Sequence, residues 1–101
     1  MAGEVTWADR ASDDLAEILR SIAKDSEFYA VAVVRELIEA GRSLEVFAQR
    51  GRIVPEYQDP TIRELVVRSY RLVYEVADTD VHVLRIIHGA RPLSLGLPRS
   101  R

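Results

Sequence analysis

The spacing of the apolar residues changes once along the chain, and this change limits the fold more than any other feature of the sequence. Up to about residue 46, apolar residues recur every three or four positions, as on one face of an α-helix, in two runs that a short polar break at 24–26 separates. From Ile62 to Ile87 they alternate with polar residues, as on half-buried β-strands. The order predicts an α+β domain in which helices cover one face of an antiparallel sheet.

The first half predicts two amphipathic helices. Asp9 precedes the first apolar run, and we expect its carboxylate to cap that helix. Ser26 is expected to cap the second helix, whose apolar run ends near Val46. Because the break between them is short, the helices should pack as an antiparallel hairpin. Gly41 lies inside the second run, where glycine costs about 1 kcal/mol relative to alanine, and this predicts a close approach by another element.

The strands are predicted at the start of the chain and in its second half. Val5–Trp7 is a short opening strand, and residues 47–60, interrupted by glycine and proline, are a loop. Three consecutive β-prone runs with short connections then predict an antiparallel meander: Ile62–Val67, Tyr70–Val76 and Val81–Ile87. The predicted order is β-α-α-β-β-β. Residues 1–93 should form one domain, and residues 94–101 a tail without periodicity.

Alternation along the last strands predicts on which face of the sheet each candidate side chain lies. His82 and His88 are six positions apart, which predicts a shared face with the rings about 20 Å apart, too far to chelate one ion. A two-residue loop before the last strand would put Arg85 on the face opposite Arg71, and a three-residue loop on the same face. Tyr70 and Tyr74 share a face and are interpreted as core or rim aromatics.

Composition excludes several kinds of chemistry. The chain has no cysteine, which removes disulfides, thiolate metal sites and thiol nucleophiles. It also lacks a phosphate-binding glycine loop, a metal-ligand spacing and a nucleophile elbow, so no cofactor or metal is expected. Since the amino terminus has no signal pattern and no apolar run approaches about 20 residues, we expect a cytoplasmic protein without a membrane partner.

Charge is distributed unevenly along the chain. Residues 1–48 hold ten acidic and five basic residues, whereas residues 49–101 hold six acidic and nine basic residues. Thirteen of the fourteen cations are arginine, whose planar fork suits carboxylates, phosphates and base stacking. The basic half therefore suits RNA, DNA or an acidic protein, and the arginine usage of a GC-rich genome would give the same count. The sequence pI of about 5.7 argues against tight nonspecific binding of nucleic acid.

Four segments in order resemble the toxins of the ParE/RelE superfamily. The first helix carries Ala11, Asp14, Leu15 and Ile18 at the family's spacing. A Gly-Arg-Ile-Val-Pro-Glu loop at 51–56 leads to Ile-Arg-Glu-Leu at 62–65, and Tyr-Arg-Leu-Val-Tyr-Glu-Val follows at 70–76. The last strand ends in His-Gly-Ala-Arg-Pro-Leu at 88–93. The resemblance covers about residues 5 to 93 and implies the fold predicted above.

The resemblance implies two activities with different site residues. RelE-like members cleave mRNA on the ribosome, whereas ParE-like members inhibit DNA gyrase without such catalysis. Arg71 and Arg91 match the two arginines that RelE-like enzymes place around the scissile phosphate, and His88 is a candidate general acid or base. Ile62 and Glu64, however, stand where RelE-like enzymes carry two lysines, and the tyrosine expected after the last strand is absent. The resemblance therefore favours a toxin that is not an enzyme.

The resemblance thus predicts the toxin of a type II toxin–antitoxin (plasmid stabilisation) system that inhibits gyrase and forms a hetero-oligomer with a cognate antitoxin. The antitoxin would lay an acidic, amphipathic segment into an apolar groove beside the sheet and the helix hairpin. The residues predicted to bind the target or the antitoxin are Arg63, Arg71, Arg85, His88 and Arg91. The alternatives are a ribosome-dependent mRNA endonuclease and a degenerate toxin that keeps antitoxin binding and operator control but has lost toxicity. For Arg71 and Arg91, ion pairs with Glu75, Glu64 or a helix carboxylate also remain open.

Overall fold

A computed structural model describes residues 3–91 and Leu93 of the chain. Its elements are strand β1 (Val5–Trp7), helices α1 (Asp9–Ala23) and α2 (Glu27–Arg42), a 3₁₀ turn (Ser43–Glu45), and strands β2 (Arg52–Ile53), β3 (Ile62–Val67), β4 (Tyr70–Ala77) and β5 (Asp80–His88). The predicted α+β class and element order are confirmed, with β2 added inside the predicted loop. The predicted tail, 94–101, lies outside the described residues. No helix within the described part of the chain is both long and apolar enough to cross a bilayer.

The five strands form one sheet in the order β1-β5-β4-β3-β2. Strands β3, β4 and β5 are the predicted antiparallel meander, but β1 pairs with β5 in parallel, so the sheet is mixed rather than wholly antiparallel. The parallel direction carries the chain from Trp7 directly into α1, which packs along β5. Asp14 of α1 thereby reaches Arg85 of β5.

Both faces of the sheet carry buried apolar residues. On the face that α1 and α2 cover, which we call the helix face, Leu37, Leu72 and Tyr74 are buried in the main core. On the opposite, outer face a smaller cluster forms where the segment 54–57 folds back, so that Val54 and Tyr57 pack with Val73. The loop after β2 is thus part of the fold, and it covers the middle of the outer face.

The helix ends follow the predictions in part. The Ser26 hydroxyl accepts a hydrogen bond from the Tyr29 amide at 3.1 Å, so the predicted cap of α2 is confirmed. The predicted cap at Asp9 is wrong: Ala8 holds that position, because its amide still bonds to Val83 of β5, and α1 begins at Asp9. Gly41 does meet another element, since a Cβ there would lie 2.5 Å from the Trp7 ring.

A β-bulge in β5 changes the parity of its side chains. The turn before β5 has two residues, because Ala77 pairs with Asp80, yet the register shifts so that Val73 faces Arg85 and Tyr74 faces Val83. Leu84 is the extra residue of the bulge. The two-residue loop would have put Arg85 on the face opposite Arg71, but the bulge brings its backbone into register with Val73, and its guanidinium bonds to Asp14 of α1.

The same bulge separates the two histidines. His82 pairs with Glu75 and His88 with Tyr70, and these partners are five positions apart on β4. An odd separation along a strand places side chains on opposite faces. The prediction that His82 and His88 share a face is therefore wrong, and His88 projects on the helix face beside Tyr70.

Candidate functional site

The five predicted site residues fall into two groups according to their contacts. Arg63, Arg71 and Arg85 are bound to other groups of the protein, whereas His88 and Arg91 are exposed beside a cleft at the end of β5. Of the five, His88 Nε2 and the Arg91 guanidinium have no hydrogen-bond partner in the part of the chain that the structure describes, and they are open to a partner.

Arg71 is held between two carboxylates on the outer face. Its Nε donates to Glu64 at 2.5 Å, and its two terminal nitrogens donate to the two oxygens of Glu56 at 2.9 and 2.8 Å. Arg71 is 8% exposed and Glu64 1% exposed. The hydrogen bonds that Arg71 donates to Glu56 and Glu64 raise the pKa of its guanidinium above the usual range. The side chain therefore fastens the loop that carries Glu56 to the sheet.

Neighbouring arginines on this side are also paired. Arg52 donates to the second oxygen of Glu64 at 2.6 Å, so this buried carboxylate lies between two guanidinium groups. Arg68 donates to Glu36 of α2 at 2.6 Å and lies over the Tyr29 ring, 5.2 Å from its centroid. Each of these cations meets a carboxylate of the same chain.

Arg63 and Arg85 hold parts of the backbone together. Arg63 donates to the carbonyl oxygens of Pro60 and Gly51 at 3.0 and 2.9 Å, which closes the loop between β2 and β3. Arg85 donates to both oxygens of Asp14 at 2.8 and 3.2 Å, and Asp14 also accepts from the Ile86 amide at 2.9 Å. Asp14 thereby binds α1 to β5 where the bulge has shifted the strand.

The cleft lies between α1 and the end of β5 and has a volume of about 300 Å³. Its lining combines three kinds of side chain: acidic (Asp14, Glu17), basic or aromatic (Arg85, His88, Arg91, Tyr70) and apolar (Ile18, Ile86, Ile87), with Ser21 beside them. Arg91 lines this cleft and Arg71 lies on the outer face, so the structure does not bring the two arginines into one site.

Two contacts fix the His88 ring. Its Nδ1 accepts a hydrogen bond from the Ala90 amide at 3.3 Å, and the Tyr70 ring meets it edge-on at 5.7 Å between centroids and 79° between planes. An Nδ1 that accepts requires the neutral ring to carry its proton on Nε2. His88 therefore presents an Nε2 donor at the mouth of the cleft.

Sequence reasoning missed the acidic partners that decide these roles. The sequence leaves Glu64 open as a partner of Arg71, but Glu56 lies in a loop where no periodicity indicates its direction, and Asp14 belongs to the polar face of α1. The pairing of Tyr70 with His88 needs the register of the bulged strand. Among the described residues, no three metal-ligating side chains form a group that would hold an ion.

Known proteins are similar to this chain in sequence and in fold. The family model for the ParE toxin of type II toxin–antitoxin system, parDE, matches residues 5–93. Toxin RelE2 of Caulobacter vibrioides is 39% identical over 89 residues, which cover 87% of this chain and 97% of that protein. The name of this relative belongs to the RelE branch of the superfamily, whereas the matching family model is that of the ParE toxin.

Two solved structures extend the likeness of the fold. The chromosomal ParDE system from P. aeruginosa aligns with a TM-score of 0.71 at 21% identity, covering 86% of this chain and 96% of that one. The toxin–antitoxin complex RelBE2 from Mycobacterium tuberculosis aligns with a TM-score of 0.63 at 20% identity, covering 87% and 99%. The resemblance seen in the four sequence segments is confirmed, and the chain belongs to the ParE toxin family of type II toxin–antitoxin systems.

Proposed function

We propose that this toxin arrests growth by binding and inhibiting DNA gyrase, without cutting mRNA, and that a cognate antitoxin neutralises it. The observation that carries the proposal is the clamp of Glu56 and Glu64 on Arg71. Arg71 is the residue that an mRNA endonuclease of this superfamily would need at the scissile phosphate, and here it is bound by two carboxylates.

Phosphate chemistry is disfavoured on the outer face for electrostatic reasons. A phosphoryl group that gains charge in the transition state needs free donors aimed at its oxygens. Around Arg71 those donors already face carboxylates, and an approaching phosphate would meet the negative charge of Glu56 and Glu64. His88, the candidate acid or base, projects on the other face of the sheet. The three groups that cleavage would combine are thus not assembled, which supports a toxin that acts by binding.

The antitoxin is proposed to occupy an apolar stripe on the hairpin. Phe28, Val31 and Ile38 of α2 are exposed, Phe28 by 75%, and Leu19 of α1 extends the stripe. Such a row of large exposed apolar residues marks a protein interface. Arg35 lies within the row and Arg42 at its end, and neither has an ion pair within the described residues. An acidic amphipathic helix complements this pattern, and one of the structural neighbours is itself a toxin–antitoxin complex.

Two assays run side by side test the proposal. Purified toxin is added to a gyrase supercoiling reaction and to a translating extract with a reporter mRNA, each with and without its antitoxin. We expect concentration-dependent loss of supercoiling that the antitoxin reverses, and intact mRNA. Codon-specific cleavage that Arg91→Ala abolishes would establish the endonuclease instead, the activity that the name of the 39% identical relative suggests. No response in either assay, together with harmless expression, would identify a degenerate toxin.

A further inference from the structure

We infer that the cleft between α1 and the end of β5 receives an acidic side chain of the toxin's protein target, through His88 and Arg91. The inference rests on the proposed function, in which the toxin acts by binding a protein. It assigns target recognition to a surface separate from the apolar stripe of the hairpin.

The hydrogen bonds of the cleft leave donors without acceptors. Its acidic residues are already bound, since Asp14 accepts from Arg85 and from the Ile86 amide, and Glu17 accepts from Arg20 at 2.8 Å. His88 Nε2 and the Arg91 guanidinium, by contrast, have no partner among the described residues. A carboxylate has an acceptor oxygen for each of these donors in the same cleft, and charge-assisted bonds to two donors would fix its position and its direction.

The size and walls of the cleft suit one side chain. A volume of about 300 Å³ accommodates a glutamate or an aspartate with part of its backbone, but it is too small for a helix. Ile18 and Ile86 line the cleft beside the donors. Apolar walls lower the local dielectric constant, which strengthens an ion pair formed inside relative to one on an open surface.

The charges of the cleft argue against nucleic acid as its occupant. Asp14 and Glu17 balance the two arginines of the lining, so the carboxylates and guanidinium groups of the cleft sum to no net charge. Nucleic-acid sites neutralise several successive phosphates with a basic patch. A single carboxylate needs only the two free donors, whereas a phosphodiester backbone needs several cations in succession.

The cleft and the apolar stripe lie on different sides of α1. Glu17 and Ser21 line the cleft, while Leu19, two positions from each, belongs to the stripe. Two positions on an α-helix correspond to a rotation of about 200°. A change in the cleft should therefore affect the target and leave the antitoxin surface intact.

Charge reversal at Arg91 tests the inference. In the supercoiling assay we expect Arg91→Glu, and more strongly Arg91→Glu combined with His88→Gln, to need at least about tenfold more toxin for half-inhibition, equivalent to about 1.4 kcal/mol. Affinity for the cognate antitoxin, measured by calorimetry, should stay within about twofold of the wild type. Arg10→Glu is the matched control, because it makes the same charge change at an exposed position of α1 outside the cleft.

Growth arrest and peptide titration separate this inference from the gyrase proposal. If the wild type spares gyrase and leaves the reporter mRNA intact but the cleft variants lose growth arrest, the gyrase proposal fails and the cleft assignment stands; mRNA cleavage that the cleft variants abolish would overturn both. If the cleft variants keep full potency in both readouts, the inference is wrong. A glutamate-containing pentapeptide should shift the amide resonances of residues 88–91 in labelled toxin. Shifts with a short oligothymidylate and none with the peptide would overturn the choice of a protein partner.

Discussion

The Nε of Arg71 donates to Oε1 of Glu64 at 2.5 Å, between side chains that are 10% and 0% exposed. Glu56 holds the other edge of the same guanidinium with both carboxylate oxygens. The loop that carries Glu56 is thereby bound to the outer face of the sheet. In this toxin Arg71 therefore holds the Glu56 loop on the sheet.

Removing one member of this buried network should destabilise the fold. Glu64→Leu leaves Arg71 and Arg52 facing an apolar side chain, and we expect the free energy of unfolding to fall by about 3 kcal/mol, as is usual when one partner of a buried pair is lost. Adding Arg71→Met should recover part of this loss, because the most deeply buried cation is then gone, although Glu56 gives up its two bonds from Arg71. Urea unfolding measures both variants.

The control for this prediction is the exposed partner of the same carboxylate. The Arg52 side chain is 63% exposed, and a solvent-exposed ion pair contributes less than about 1 kcal/mol. Arg52→Ala should therefore cost far less than Glu64→Leu. Equal costs for the two variants would show that burial of Glu64 does not determine its contribution.

Close packing of Trp7 on α2 gives a second prediction. A Cβ at Gly41 would lie 2.5 Å from Cζ2 of Trp7. In a helix, alanine stabilises by about 1 kcal/mol relative to glycine, but overpacking destabilises by about 1 to 3 kcal/mol. Gly41→Ala should therefore lower the free energy of unfolding. Because Trp7 is the single tryptophan, a shift in its fluorescence should report the displaced ring. In a Trp7→Leu background the same alanine should instead stabilise, as measured by circular dichroism.

Periodicity predicted the elements because each buries one face. The spacings of three and four in the first half require helices, and the alternation after Ile62 requires strands with one covered face. The parallel pairing of β1 with β5 and the short β2 were not predictable in this way. A strand of two or three residues contains too few positions to establish a period, and its direction depends on where the helices lead the chain.

The candidate site was predicted less completely because its geometry depends on contacts between distant segments. His88 is predicted from its place at the end of the last strand and Arg91 from the resemblance, but the face on which His88 lies is decided by the bulge at Leu84, which nothing in the alternation from Val81 to Ile87 marks. Arg71 was identified by resemblance, whereas its carboxylate partners, 7 and 15 positions away, follow from the fold.

Helix capping offers a third prediction with a built-in comparison. The Ser26 hydroxyl accepts from the Tyr29 amide, while Asp9 lies in the first turn of α1 without a capping bond. Ser26→Ala should cost about 1 kcal/mol of stability. Asp9→Ala should cost less, because it loses only the interaction of its charge with the helix dipole, about 0.3 to 1 kcal/mol in low salt. Raising the salt concentration should shrink the Asp9 effect and leave the Ser26 effect unchanged, and the opposite pattern would contradict both assignments.

Stability at high pH should depend on Tyr74. Burial raises the pKa of this hydroxyl, and the effect exceeds the opposing contributions of the Gly51 amide, Arg63 and Arg50. The unfolded tyrosine ionises near pH 10, so above about pH 10 the proton is lost on unfolding and stability falls as pH rises towards the folded pKa.

Below pH 10, Tyr74→Phe should cost about 1 to 3 kcal/mol, because the buried Gly51 amide loses its acceptor. Above pH 10 the difference in the free energy of unfolding between the wild type and Tyr74→Phe should narrow, because phenylalanine has no proton to lose. Urea unfolding at a series of pH values measures the difference, and a deficit that stays constant or widens would contradict the raised pKa.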